Sequence, residues 1–309
     1  MIMEEIIKPI PEEDIISELQ KVTYIKTTSF GHNDIFEFDY HQSPLLMKEV
    51  ARLREITFRA SGGGTGKSAD IDFFDTCKEP FRQLIIWNQE TKEIIGGYRY
   101  KLGRDMKSQG HEIYSPTGEL FYFSDDFIEN YKPYTVELGR SFVIPEYQAS
   151  NVDRKGIAAL FDLWDGIGSV TTTHSFVKYF FGKFTMYRNY NIFSRDVLLR
   201  FANRYFPDNE CLCWPKQPIM KQYPAEMIDK YFMYDDYHKE RKKLTAILKK
   251  QGETIPPLIN SYMNISSTMK FFGTSLNPGF GNVEESGILI TVADMDQRIV
   301  SRFGRNNNI

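Results

Sequence analysis

Cysteine is scarce in this chain, with Cys77, Cys211 and Cys213 the only three in 309 residues. Three cannot close a framework of paired bridges. With no histidine beside Cys211 and Cys213, they do not complete a four-ligand zinc site either. The five histidines share no metal-ligand spacing, so no metal is expected. Basic excess is missing too: Lys and Arg number 38 against 41 Asp and Glu, a net charge of −3, which argues against a nucleic-acid binder. No apolar run approaches the ~20 residues needed to span a bilayer. The acidic first residues lack the core of a signal peptide. Repeats and low-complexity tracts are absent as well. These absences point to a soluble, at most peripherally membrane-associated protein of a reducing, cytoplasmic compartment.

What is present is globular: 41% hydrophobic and 15% aromatic residues. The most informative stretch is 135–147, Thr-Val-Glu-Leu-Gly-Arg-Ser-Phe-Val-Ile-Pro-Glu-Tyr. Val136, Leu138, Phe142 and Val143 make it a buried strand, yet it carries Glu137 and Arg140 in its middle. Charges there are costly unless paired or used. A separation of three puts side chains on opposite faces of a regular strand. A bulge cancels that, and Gly139 stands where one is expected. Glu137 and Arg140 then converge in a cleft beside a bulged central strand, although a structural ion pair with a neighbouring element fits the pattern equally well.

Elsewhere the chain reads as an N-terminal arm (1–42), a helix opened by Ser43 and Pro44, and a hairpin over 83–102. Further elements are a helix over 156–172, an aromatic strand over 175–183 and a segment 190–255 of unassigned role that lengthens an acyl tunnel, covers the sheet or touches a membrane. Residues 61–68, Ser-Gly-Gly-Gly-Thr-Gly-Lys-Ser, resemble a phosphate-binding loop. The first glycine of that pattern falls at Ser61, however, and the loop follows a helix rather than a strand. A flexible active-site loop is expected instead, and a nucleotide hydrolase is a remote alternative. Strands and helices intermix throughout without a linker, so one α/β (or α+β) domain over 1–309 around a mixed sheet is expected.

Several spacings occur in a fixed order: Leu53-Arg54 with Phe58, Asp72 with Asp75, Gly96 to Arg99, and Glu137-Leu-Gly-Arg140-Ser141. This order resembles the hemolysin-like ornithine-lipid and glycine-lipid N-acyltransferases of the GNAT superfamily. More loosely, it is similar to acyl-homoserine-lactone synthases and long-chain N-acyl amino acid synthases. The resemblance covers about 45–190 and, weakly, 255–305. It implies a central sheet splayed at a bulged strand and flanked by helices, with an acyl thioester entering the gap. The implied reaction moves a long-chain or 3-hydroxy fatty acyl group from acyl carrier protein to the amine of a small amino acid, with no bound cofactor. Glu137 becomes the candidate base that removes the amine's proton. Arg140 either orients Glu137 or binds the acceptor's carboxylate. Arg54, Phe58, Asp72, Asp75, Arg99 and Ser141 become candidate substrate contacts. As bland alternatives, Arg54 and Arg99 fit ordinary surface or ion-pair positions, and Asp72 and Asp75 fit a helix cap.

Departures refine the expectation. Phe142 stands where the lipid acyltransferases often carry Cys. The tryptophan of the homoserine-lactone synthases is missing, so that autoinducer reaction is the weaker alternative, beside a non-catalytic acyl-binding protein. Gly156 and Ala158 fit half of the coenzyme-A signature, but Asp153 replaces its Gln or Arg and would repel a pyrophosphate. A carrier-protein donor is therefore favoured over acyl-CoA. Lys178, Lys183, Arg188 and 239–243 are candidate contacts for that acidic partner, or plain solvated charges.

Overall fold

The computed structural model describes residues 3–148 and 154–303. The chain opens with α1 (Glu12–Leu19), β1 (Thr23–Thr27), β2 (Asp34–Phe38), α2 (Pro44–Ala60) and the single turn α3 (Phe73–Thr76). There follow β3 (Arg82–Asn88), β4 (Glu93–Leu102), the short β5 (Ser108–Gln109), β6 (Glu112–Ile113) and β7 (Phe121–Phe123), then β8 (Thr135–Val143). The second half holds α4 (Arg154–Thr173), β9 (Tyr179–Met186), α5 (Ile192–Tyr205), β10 (Cys213–Pro215), α6 (Ala225–Asp229), α7 (Tyr237–Lys250), α8 (Pro257–Ile265), β11 (Lys270–Asn277), β12 (Val283–Thr291) and α9 (Gln297–Phe303).

Eight strands form the central sheet in the order β1-β2-β3-β4-β8-β9-β12-β11. Neighbours are antiparallel except β8 and β9, which run parallel and pair only from Thr135–Tyr179 to Glu137–Phe181. Beyond Glu137 the two strands part, and β9 continues alone against β12 as far as Met186. The expected mixed sheet, splayed beside its central strand and flanked by helices, is therefore present. The first two strands lie on its edge, so the arm expected at the N-terminus is woven into the sheet.

Helix α2 starts where its cap dictates: Ser43 Oγ accepts the Leu46 N–H at 3.1 Å and Pro44 takes the first helical position. Its Leu46, Met47, Val50 and Ala51 bury against Ile85, Trp87, Ile94 and Phe142 on one face of the sheet. The opposite face is covered by α4, whose Ala159, Leu163, Trp164 and Ile167 pack with Leu84, Tyr98 and Leu138. Among the described residues no helix is long and apolar enough to cross a membrane.

Candidate active site

Strand β8 carries the bulge. Across the ladder to β4, Gly97 faces Phe142 and Arg99 faces Gly139, so two steps on β4 oppose three on β8. The extra residue is taken up after Gly139, and Arg140 itself adopts the left-handed conformation, with φ 48°. This corrects the expectation that the glycine would absorb the irregularity. The consequence is as anticipated: Glu137 and Arg140, three apart, both line the same cleft.

That cleft, about 1180 Å³, runs through the opening between β8 and β9. On the α4 side its wall is apolar, with Leu138, Leu160, Leu163, Trp164 and Tyr262. On the α2 side it is charged and aromatic, with Arg99, Glu137, Arg140, Lys183, Glu285 and Phe280. Phe58 and Ser141 also line it. Glu137 Oε1 accepts the Thr117 N–H at 3.0 Å, which orients the carboxylate. Arg140 pairs with Asp70 (Nε to Oδ2, 2.8 Å) and Asp72 (Nη2 to Oδ2, 3.5 Å) rather than with Glu137, and its guanidinium carbon lies 4.4 Å from the Phe280 ring centroid. The contact with Asp70 is an ion pair without hydrogen-bond geometry, leaving Nε unbonded.

Behind this wall three arginines and three aspartates interlock. Arg99 Nη1 lies 2.8 Å from Asp72 and 3.0 Å from Asp75. Arg54, fully buried, donates from Nη1 to both Asp75 oxygens at 3.3 Å and from Nη2 to Gln83. Asp72 and Asp75 also form a capping box around α3: Asp72 Oδ1 accepts the Phe74 N–H at 2.9 Å, and Asp75 Oδ2 accepts the Asp72 N–H at 3.2 Å. Burial pushes Asp75 up, but Arg99, Arg54 and Arg140 outweigh it and hold its carboxyl well below the usual range. For Asp70 burial outweighs Arg140 and Arg54, and its carboxyl is raised. Burial lowers Arg54, whereas for Arg99 the aspartates, Asp75 foremost, outweigh burial and raise it.

Of the residues offered by the sequence, then, Glu137, Arg140, Ser141, Arg99 and Phe58 meet at the cleft. Arg54 and Asp75 stand behind it, too deeply buried to touch a ligand, and Asp72 braces Arg99 and Arg140 from beside it. Ala158 falls in the first turns of α4, of Gly156 only that placement is described, and Asp153 lies outside the described residues. Lys183 is not a surface contact: it lines the cleft, 3.3 Å from Glu285. Sequence reasoning missed Glu285, whose carboxyl Lys183 and Arg140 hold down against the opposing effect of burial. It also missed Tyr98, whose hydroxyl is buried at the cleft without a hydrogen bond. The nearby Ser141 hydroxyl weighs on its ionisation without outweighing burial, which pushes it up to about 12.

The glycine loop is a correction of another kind. Gly62, Gly64 and Gly66 take positive φ, and the loop closes round the buried Glu55 of α2. Glu55 accepts the Thr65 N–H at 3.0 Å, the Thr65 hydroxyl at 2.8 Å and the Gly66 N–H at 2.8 Å. The amides that a phosphate would need are occupied by the protein's own carboxylate, and the loop is pinned rather than loose.

Residues 53–155 match the family model described as an acetyltransferase (GNAT) domain. Over 300 residues the chain is 47% identical to a glycine N(alpha)-acyltransferase of Phocaeicola vulgatus, covering 96% of this chain and 92% of that one. It is 46% identical over 301 residues to a glycine N(alpha)-acyltransferase of Bacteroides thetaiotaomicron, covering 96% and 89%. No solved structure gives a significant match. The chain belongs to the GNAT N-acyltransferases: it is an enzyme that takes an acyl donor and an amine acceptor.

Proposed function

We propose that this N-acyltransferase joins a long-chain fatty acyl group, carried as a thioester on acyl carrier protein, to the amine of a small amino acid, glycine foremost. That is the reaction of a hemolysin-like aminolipid synthase. The observation that carries the proposal is the cleft through the sheet, apolar on the α4 side and charged on the α2 side, with Glu137 and Arg140 at the bulge between them. A chain of methylenes suits the first wall and a zwitterionic amino acid the second. Glycine is the acceptor named for both relatives. Asp153, in place of a pyrophosphate-binding residue, favours the carrier protein as donor over coenzyme A.

In this reading Arg140, stacked on Phe280 and lining the cleft, takes the acceptor's carboxylate. Glu137 removes a proton from the ammonium, directly or through water. The amine then attacks the thioester carbonyl, the C–N bond forms, and backbone N–H groups at the bulge hold the oxyanion. The C–S bond breaks and the thiol leaves with a proton. The test is mass spectrometry of lipids from cells expressing the native chain or Glu137→Gln. A new N-acyl amino acid with the native chain alone is expected, and its mass identifies the acceptor and any chain hydroxyl. The same product from both chains would remove Glu137 from the mechanism.

A further inference from the structure

Residues 219–234 are laid as a belt along α5. Arg195 Nη2 donates to the Met220 carbonyl at 3.1 Å, Arg200 grips Asp229 with two contacts of 2.6 Å, and Arg204 Nη1 donates to the Phe232 carbonyl at 2.9 Å. Anchors at 195, 200 and 204 stretch the belt along about 14 Å of helix, at roughly 1.5 Å per residue. Ile228 and Phe232 point inward and are buried. Met220 and Met233 point outward and are 86% and 73% exposed, and Met227, Tyr231 and Tyr234 are exposed with them. Phe193 of α5 ties the ridge together, 5.0 Å from the Tyr223 ring and 5.9 Å from that of Tyr231. Acyl transfer in the cleft uses none of these side chains.

Charge identifies the occupant. Lys221 and Lys230 lie exposed within the belt, Lys242 lies exposed on α7, and Lys243 Nζ sits 5.5 Å from the Tyr234 ring centroid. Of the nearby acids, Asp229 is taken by Arg200, and Asp236 caps α7 and faces Lys239. That leaves Glu226, Asp235 and the buried Glu240, which accepts the Tyr234 N–H, against Lys221, Lys230, Lys242 and Lys243, a local excess of one positive charge on a molecule whose total charge is −3. Flexible methionines and amphipathic tyrosines fringed by lysine suit the interface of a bilayer with anionic head groups. Helix α7 starts beside Tyr234, and Thr245 further along it lines the cleft, so one helix joins belt to cleft. We propose that this Met/Tyr/Lys belt is a docking surface for an anionic phospholipid membrane.

The test is sedimentation of the full chain with phosphatidylglycerol–phosphatidylcholine vesicles and with phosphatidylcholine vesicles alone. The native protein is expected to partition onto the anionic vesicles and to come off in 1 M salt, where the Debye length shrinks to about 3 Å. The double variant Met220→Ser, Met233→Ser removes only exposed side chains and is expected to bind about tenfold more weakly. No partitioning, or equal binding by the double variant, would overturn the proposal. So would self-association of the native chain without vesicles that the variant abolishes, since a second copy would then be what covers the belt. Partitioning is read without turnover, so a protein that binds but transfers no acyl group leaves this surface standing and defeats only the reading of the cleft.

Discussion

Arg140 occupies a left-handed conformation that costs a non-glycine residue about 1–2 kcal/mol. It is kept there by what its guanidinium touches: Phe280 on one side, Asp70 and Asp72 on the other. A planar fork suits that slot and an acceptor carboxylate together, and a lysine ammonium does not. On the proposed reaction, Arg140→Lys is therefore expected to raise KM for the amine acceptor about tenfold, the cost of one charged hydrogen bond, while KM for the acyl donor holds. Steady-state kinetics with each substrate varied in turn separates the two, and an equal rise in both would show that the variant disturbs the bulge itself. The convergence of Glu137 and Arg140 was legible because an odd spacing of charges in an apolar strand demands an irregularity. Which residue takes the strain was not, because the contacts that hold Arg140 come from residues 70, 72 and 280. Arg54, Asp75 and Arg99 were visible as substrate contacts implied by the resemblance, with ion pairs and a helix cap as the bland alternative. That they answer mainly one another depends on strand register, which local sequence does not state. Lys183 and Glu285, 102 residues apart, meet only because β9 pairs with β12.

The glycine loop shows how one element can mimic another. Its spacing is nearly that of a phosphate cradle, yet the acid that fills it comes from the preceding helix, six residues before the loop begins, as the positions of Glu55 and Ser61 show. Glu55→Ala would leave the buried amide of Gly66 and the Thr65 donors without their acceptor. A loss of about 2 kcal/mol in stability is expected, measured by urea unfolding. A loss near zero would mean that water replaces the carboxylate and that the loop is less pinned than its hydrogen bonds indicate. The long helices α2 and α4 and the β3–β4 hairpin were readable from caps, apolar spacing and a polar turn, Ser43-Pro44 above all. The short strands β5 and β6, two residues each, carry no periodicity from which to read them.

Across the molecule, acid should act first on the interlocked charges. Burial opposes ionisation of Asp75, Asp72 and Glu285, yet their arginine and lysine partners leave each carboxyl depressed in the folded protein. A depressed carboxyl binds its proton more readily in the unfolded chain. Its stabilisation is thus full above the unfolded pKa of about 4 and drains away as pH falls through the folded values. Asp70, raised by burial, works in the opposite direction. Thermal unfolding followed from pH 7 downward should give a nearly level Tm to about pH 5 and a steep fall below about pH 4. A Tm that declines evenly over the whole range would assign the loss to general charge repulsion.

The pairing of β8 with β9 stops after three residues, Thr135, Val136 and Glu137. Mechanically, the sheet is two stiff plates riveted along one short edge: β1 to β4 with β8, and β9 with β12 and β11. Spreading the plates to pass a bulky amphiphile, or closing them on a thin one, breaks no ladder bond beyond those rivets. Hydrogen exchange should then find amides of β8 beyond Glu137 that face β9 exchanging faster than those in its paired start. Tolerance of donor width would be governed by how easily a few rungs give way, while the rest of the enzyme keeps its shape.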